Sequence, residues 1–217
     1  MIFKSFGCSF IFGTDLPDLA IRFRREGSKF SWPAKLAQKK AADYKCYARP
    51  GAGNLQILEQ ILNQSKVDGP ATFIIAWSFI NRFDYYRPKV LTLSPWYTLM
   101  SMDTSDIAHV YYRDLQSEYC DKLSSLTYIK LAIDTLKQKK ISFIMTYMDE
   151  SLFNCKSDIS AAVTDLQDYV KPYMTKFDGQ TFLDWSQKHG YPISKTLHPL
   201  EAAHAAAAEL IESYNLV

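Results

Sequence analysis

The chain has 217 residues, 47% hydrophobic, 22% charged and 14% aromatic, with 25 Lys and Arg against 23 Asp and Glu and a net charge of +2. That balance allows a sizeable core without a disordered tail, and so small a charge excludes the strong positive field that sequence-independent nucleic-acid binding needs. Lys4 and Gly7 interrupt the apolar start, and no run approaches the ~20 apolar residues that span a bilayer, so one cytoplasmic domain over residues 1–217, without a membrane partner, is expected.

Ile2 to Phe6 is a short apolar run ending at Gly7, the pattern of a buried strand and a tight turn. Phe30 to Ala42 has helical spacing, with Pro33 near the first turn where its missing N–H is not needed. Tyr44 to Ala48 predicts a second strand. The glycine-rich run Arg49-Pro50-Gly51-Ala52-Gly53-Asn54 follows, and Leu55 to Leu62 predicts a helix. Thr72 to Trp77, the most hydrophobic short run, fits a central parallel strand covered on both faces.

About Asn81 to Glu118 is rich in aromatics and poor in periodicity, and reads as an insertion: a lid or binding loop, or a satellite cluster under an extended loop. A helix from about Tyr119 to Lys139 leads into a strand at Ile141 to Tyr147. A helix at Asp158 to Met174, a last strand at Thr181 to Leu183 and an Ala-rich helix at Pro199 to Tyr214 complete the chain. This order predicts a single-domain three-layer α/β/α sandwich around a parallel sheet of about five strands, flavodoxin-like in topology.

In open parallel sheets, ligands gather outside the carboxyl ends of the strands. Gly7-Cys8-Ser9-Phe10-Ile11-Phe12-Gly13 lies at such an end, where the Ser9 hydroxyl can be presented at a cleft. This segment resembles the first block of the SGNH (GDSL-like) hydrolases, Gly-Asp-Ser-x-x-x-Gly, with Cys8 in place of the aspartate. The resemblance implies Ser9 as nucleophile. The run from Arg49 to Asn54 looks like the second block and implies Gly53, with Gly51 in reserve, as a backbone donor to an oxyanion. The third block, Gly-x-Asn-Asp, is replaced by Trp77-Ser78-Phe79-Ile80-Asn81-Arg82-Phe83-Asp84, which leaves Ser78 or Asn81 as a further donor and Trp77 and Arg82 as substrate-binding candidates. Arg82 and Asp84 read equally as a local ion pair.

Lys195-Thr196-Leu197-His198-Pro199 resembles the last block, Asp-x-x-His, and implies His198 as general base. Lys195 stands where the acid belongs. Asp184, Glu201 or a backbone carbonyl is the expected substitute. Asp149-Glu150 reads as a carboxylate pair or, more simply, a cap, and His204 as a hydrogen-bonded or exposed helix residue. The Gly-Cys-Ser-Phe and His-Pro-Leu-Glu-Ala-Ala-His wording also resembles SGNH-like proteins of phage genomes.

The resemblance implies a serine esterase or acetylesterase acting through an acyl-serine intermediate on a small-molecule or carbohydrate ester, with no cofactor. The alternative is a catalytically silent SGNH-fold binding module. Cys8, Cys46, Cys120 and Cys155 show neither a CxxC pair nor zinc spacing, which predicts buried free thiols and no metal site.

Overall fold

A computed structural model describes residues 1–19, 26–66, 69–88, 95–154 and 160–216. Cys155 and the first two residues of the expected helix at 158–174 lie outside them. Four parallel strands, β1 (Ile2–Phe6), β2 (Asp43–Cys46), β3 (Ala71–Trp77) and β6 (Ser142–Tyr147), form one sheet in the order β2-β1-β3-β6. The chain leaves β1 for β2 on one side and returns to β3 on the other. The strand order therefore reverses between β1 and β3, and the loops after these two strands flank the crevice that the reversal opens.

Alternation along the strands sends side chains to two cores. Phe6, Phe73, Ile75 and Trp77 pack with α3 (Asn54–Gln64), α5 (Glu118–Gln138) and α6 (Ala161–Val170); Phe3, Ile74 and Ala76 pack with α2 (Trp32–Lys39), α7 (Phe182–Lys188) and α8 (Glu201–Ser213). Helices thus cover both faces of the sheet. Ala203, Ala207 and Ala208 present fully buried small side chains in the same cluster as Leu36 and Ala37 of α2, so these two helices approach closely.

Two expectations are corrected. The segment expected as a last strand at Thr181 to Leu183 begins helix α7: the Thr181 hydroxyl accepts the Asp184 N–H at the helix start, and Phe182 and Trp185 are buried at helical spacing. The parallel sheet has four strands, and Met174 extends it beyond Met145 by a single bridge. The aromatic insertion carries an antiparallel hairpin, β4 (Phe83–Tyr86) with β5 (Trp96–Leu99), and a short helix, α4 (Asp106–Val110). Cross-strand rings pair along the hairpin, Tyr85 with Tyr97 at 5.5 Å and Tyr86 with Trp96 at 5.4 Å. Among the described residues no helix is long and apolar enough to cross a membrane.

Candidate active site

After β1 the chain turns at Gly7, where a side chain would meet Ile11 at 2.7 Å and the Ala76 carbonyl of β3 at 2.9 Å, so only glycine allows so close an approach to the sheet. Ser9 opens the single helical turn α1 (Ser9–Phe12), whose first N–H groups have no intrahelical acceptor. Gly13, at φ 81°, closes that turn by donating to the Ser9 carbonyl at 2.9 Å. Cys8, in the place of an aspartate, is buried, and its thiol donates to the Met148 sulfur at 3.2 Å. Cys46 is partly buried as a residue, with loss of solvent at its thiol pushing the pKa up, whereas Cys120 is exposed, so the expected burial fails at Cys120.

His198 sits in the loop before α8. Its N–H donates to the Ser194 hydroxyl at 3.1 Å and its carbonyl accepts from Ser194 N–H at 2.8 Å, while Leu197 adopts a left-handed φ of 63°. The imidazole packs against Phe10, the neighbour of Ser9, with ring centroids 5.2 Å apart. This contact sets the serine turn and the histidine loop side by side. No hydrogen bond joins the Ser9 hydroxyl to the imidazole among the described residues, and Ser9 is 7% exposed.

The carboxylate on His198 belongs to Asp15, which sequence reasoning missed. Asp15 Oδ2 lies 2.9 Å from His198 Nδ1 and accepts the hydroxyls of Ser194, at 2.7 Å, and Thr196. These hydrogen bonds, Thr196 first, hold the Asp15 carboxyl below the usual carboxylate range against a partial loss of solvent. With Nδ1 facing a carboxylate, the neutral ring carries its proton there and leaves Nε2 as the basic nitrogen. No local signal marks Asp15, because its partner is distant in the chain.

The expected substitutes are engaged elsewhere. Asp184 is exposed on α7 and accepts the Thr181 hydroxyl at 2.6 Å, and Glu201 lies 3.8 Å from Lys35. Lys195 is exposed. Among the oxyanion candidates, Gly53 donates its N–H to the buried Asp84 at 3.0 Å, so that amide is already used. Gly51, at φ 81°, has nothing within 4 Å of the place a Cβ would take.

The Ser78 hydroxyl accepts Arg82 Nη1 at 2.7 Å, and the same nitrogen donates to the Ala52 carbonyl at 3.1 Å, so Arg82 bridges the second and third blocks. Arg82 and Asp84 thus hold different partners. Asn81 lines a cavity of about 450 Å³ with Asp121, Asp149 and Glu150, and neither Ser9 nor His198 lines it. Trp77 is fully buried in the α3/α5 core, which corrects its assignment to substrate binding; the most apolar strand buries its last side chain as it does the others. Asp149 caps a turn by accepting Ser151 N–H at 3.0 Å, while Glu150 pairs with Lys176 at 2.8 Å. His204 is buried, and its Nδ1 accepts Trp32 N–H at 3.0 Å.

A parallel sheet in the order β2-β1-β3-β6 with helices on both faces defines a doubly wound α/β fold. Neither a family model nor a curated protein matches the sequence. Solved structures do. A member of the lipolytic G-D-S-L family from Veillonella parvula is similar over all of both chains, at 13% identity and a TM-score of 0.56. The psychrotrophic esterase EstA from Pseudoalteromonas sp. matches 98% of this chain and 94% of its own, at 9% identity and a TM-score of 0.53. The acetyl xylan esterase Est2A from the rumen bacterium Butyrivibrio proteoclasticus is matched over 98% of this chain and 62% of its own, at 13% identity and a TM-score of 0.53. At these identities the likeness is one of fold, and the chain has the fold of the SGNH (GDSL-like) hydrolases.

Proposed function

We propose that the protein is a serine esterase that hydrolyses a carboxylic ester through an acyl-serine intermediate. The observation that carries this reading is the imidazole of His198, held against the serine turn by Phe10 and oriented through Nδ1 by a carboxylate. In this reading Ser9 Oγ attacks the ester carbonyl while His198 Nε2 takes its proton, and the protonated ring returns that proton to the leaving alcohol. Water activated by the same nitrogen then releases the acid and restores Ser9. The free N–H of Ser9, at the start of α1, and that of Gly51 receive the developing oxyanion, with Gly53 withdrawn by Asp84 and Arg82 supplying nearby positive charge. The aromatic rings on the hairpin suit a carbohydrate ester as substrate. A cytoplasmic setting and action without a cofactor remain part of this proposal.

The engaged Gly53 amide and Ser78 hydroxyl favour a second reading, a silent binding module of the same fold. A fluorophosphonate probe and p-nitrophenyl acetate separate the two. The esterase labels in the wild type, loses labelling in Ser9→Ala, and loses roughly 10²–10⁴-fold in rate in His198→Ala. A folded wild type that neither labels nor hydrolyses the acetate overturns the esterase and leaves the module.

A further inference from the structure

We propose that Asp15 is the positioning carboxylate of His198, so that the loop carrying the nucleophile also supplies the acid that Lys195 has displaced from the last block. The inference deepens the esterase reading and rests on it for the catalytic role, although the pairing itself stands on geometry.

Asp15 lies at the end of the short stretch that opens with Ser9 and closes through Gly13. One oxygen, Oδ2, gathers His198 Nδ1 and the hydroxyls of Ser194 and Thr196, and both hydroxyls come from the histidine's own loop. A surface aspartate that only capped a turn would bind its own neighbours. This one crosses to a loop at the far end of the sequence and places three of that loop's polar side chains on a single atom.

The backbone on both sides of the contact is held in an uncommon conformation. Asp15 has φ 70° and Leu197, beside the histidine, has φ 63°. Leu197 is held by its own turn, its N–H donating to the Ser194 carbonyl at 3.1 Å, and that turn presents Ser194, Thr196 and His198 together to Asp15. With the carboxylate in place, the proton of Ser9 passes to Nε2 while the Nδ1 proton stays directed at Asp15. The imidazolium is then matched by a fixed negative charge, and Asp15 itself takes no proton. Lys195 is free to be a cation because its position no longer has to hold an acid.

The test combines Asp15→Asn with a relocated acid, Lys195→Asp, and reads the imidazole proton of His198 by NMR. In the wild type the Nδ1 proton, held on a carboxylate, gives a downfield resonance that disappears in His198→Gln. Asp15→Asn removes that resonance and lowers kcat for p-nitrophenyl acetate by roughly 10²–10⁴-fold, with KM little changed. Adding Lys195→Asp to Asp15→Asn recovers at least about tenfold of the lost kcat, which a merely structural role for Asp15 would not produce. A folded Asp15→Asn protein with kcat within about threefold of wild type overturns the proposal, as does a resonance that survives the substitution. If Asp15→Asn does not fold, the wild-type protein decides: absence of the His198 Nδ1 resonance near neutral pH overturns the pairing. If the wild type hydrolyses nothing while the resonance follows Asp15, the esterase reading fails and the pairing stands.

Discussion

Burial holds the His204 imidazole at a pKa of about 3, and the positive charge of Lys35 pushes in the same direction. In the unfolded chain the ring takes up its proton near 6.5, so between these values the unfolded state binds more protons than the folded one. The stability that the neutral ring contributes is whole above pH 6.5 and falls by up to ~1.4 kcal/mol per unit as the medium is acidified towards pH 3. Urea unfolding at pH 7 and in mild acid measures that slope. His204→Leu flattens it and costs ~1–3 kcal/mol at pH 7, because Trp32 N–H loses its buried acceptor; an unchanged slope in the variant contradicts this account. Asp15 works in a separate window. Its carboxyl is held below the ordinary 3.8, so the stability from its three contacts is present above that value and is lost as pH falls through the folded pKa.

Helix α3 and the aromatic hairpin are joined by one buried carboxylate. Asp84, on β4, accepts the N–H groups of Gly53 and Gln56 at 3.0 Å each, the Gln56 side-chain amide at 2.6 Å and the Thr98 hydroxyl at 2.7 Å. The negative charge lies at the amino end of α3, where the unpaired N–H groups of the first turn favour it. Asp84→Ala leaves these donors buried without an acceptor and is expected to lower stability by ~3 kcal/mol in urea titration; a loss below ~1 kcal/mol would show the hairpin to be held by its ring pairs instead. Gly53 is bound into the same contact, since a Cβ there would stand 2.6 Å from Asp84 Oδ2. At this scale the glycine-rich run was legible as a strand-to-helix junction, whereas the use of its amides was not. Which glycine N–H stays open depends on a carboxylate that arrives on the hairpin.

Across the whole molecule, β3 is the shared wall of both cores, with Ile74 facing α2 and α8 and Ile75 facing α3 and α5, each fully buried. Truncating either to alanine leaves a cavity between sheet and helices and is expected to cost about 2–5 kcal/mol, measured by chemical denaturation, with the thermal midpoint falling in step. Similar losses at both positions would show that the two layers unfold together; a loss at one alone would show that they do not. The crevice between the loops after β1 and β3 depends on this strand, because Gly7 rests directly on the Ala76 carbonyl.

The strands β1, β2, β3 and β6 and the long helices were readable from hydrophobic runs and spacing alone, because burial acts on residues close together in the chain. Ser9 and His198 stood out only through short blocks that resemble those of a known family. The segment at Thr181 misled, since three apolar residues fit strand and helix alike and a hydroxyl cap decided for helix. The acid on His198, the amide withdrawn from Gly53 and the burial of Trp77 became visible only in the folded chain. Each depends on a group brought from a distant segment: Asp15 meets His198 across almost the whole sequence, and hydrogen bonds of that kind leave no period or spacing in the chain that makes them.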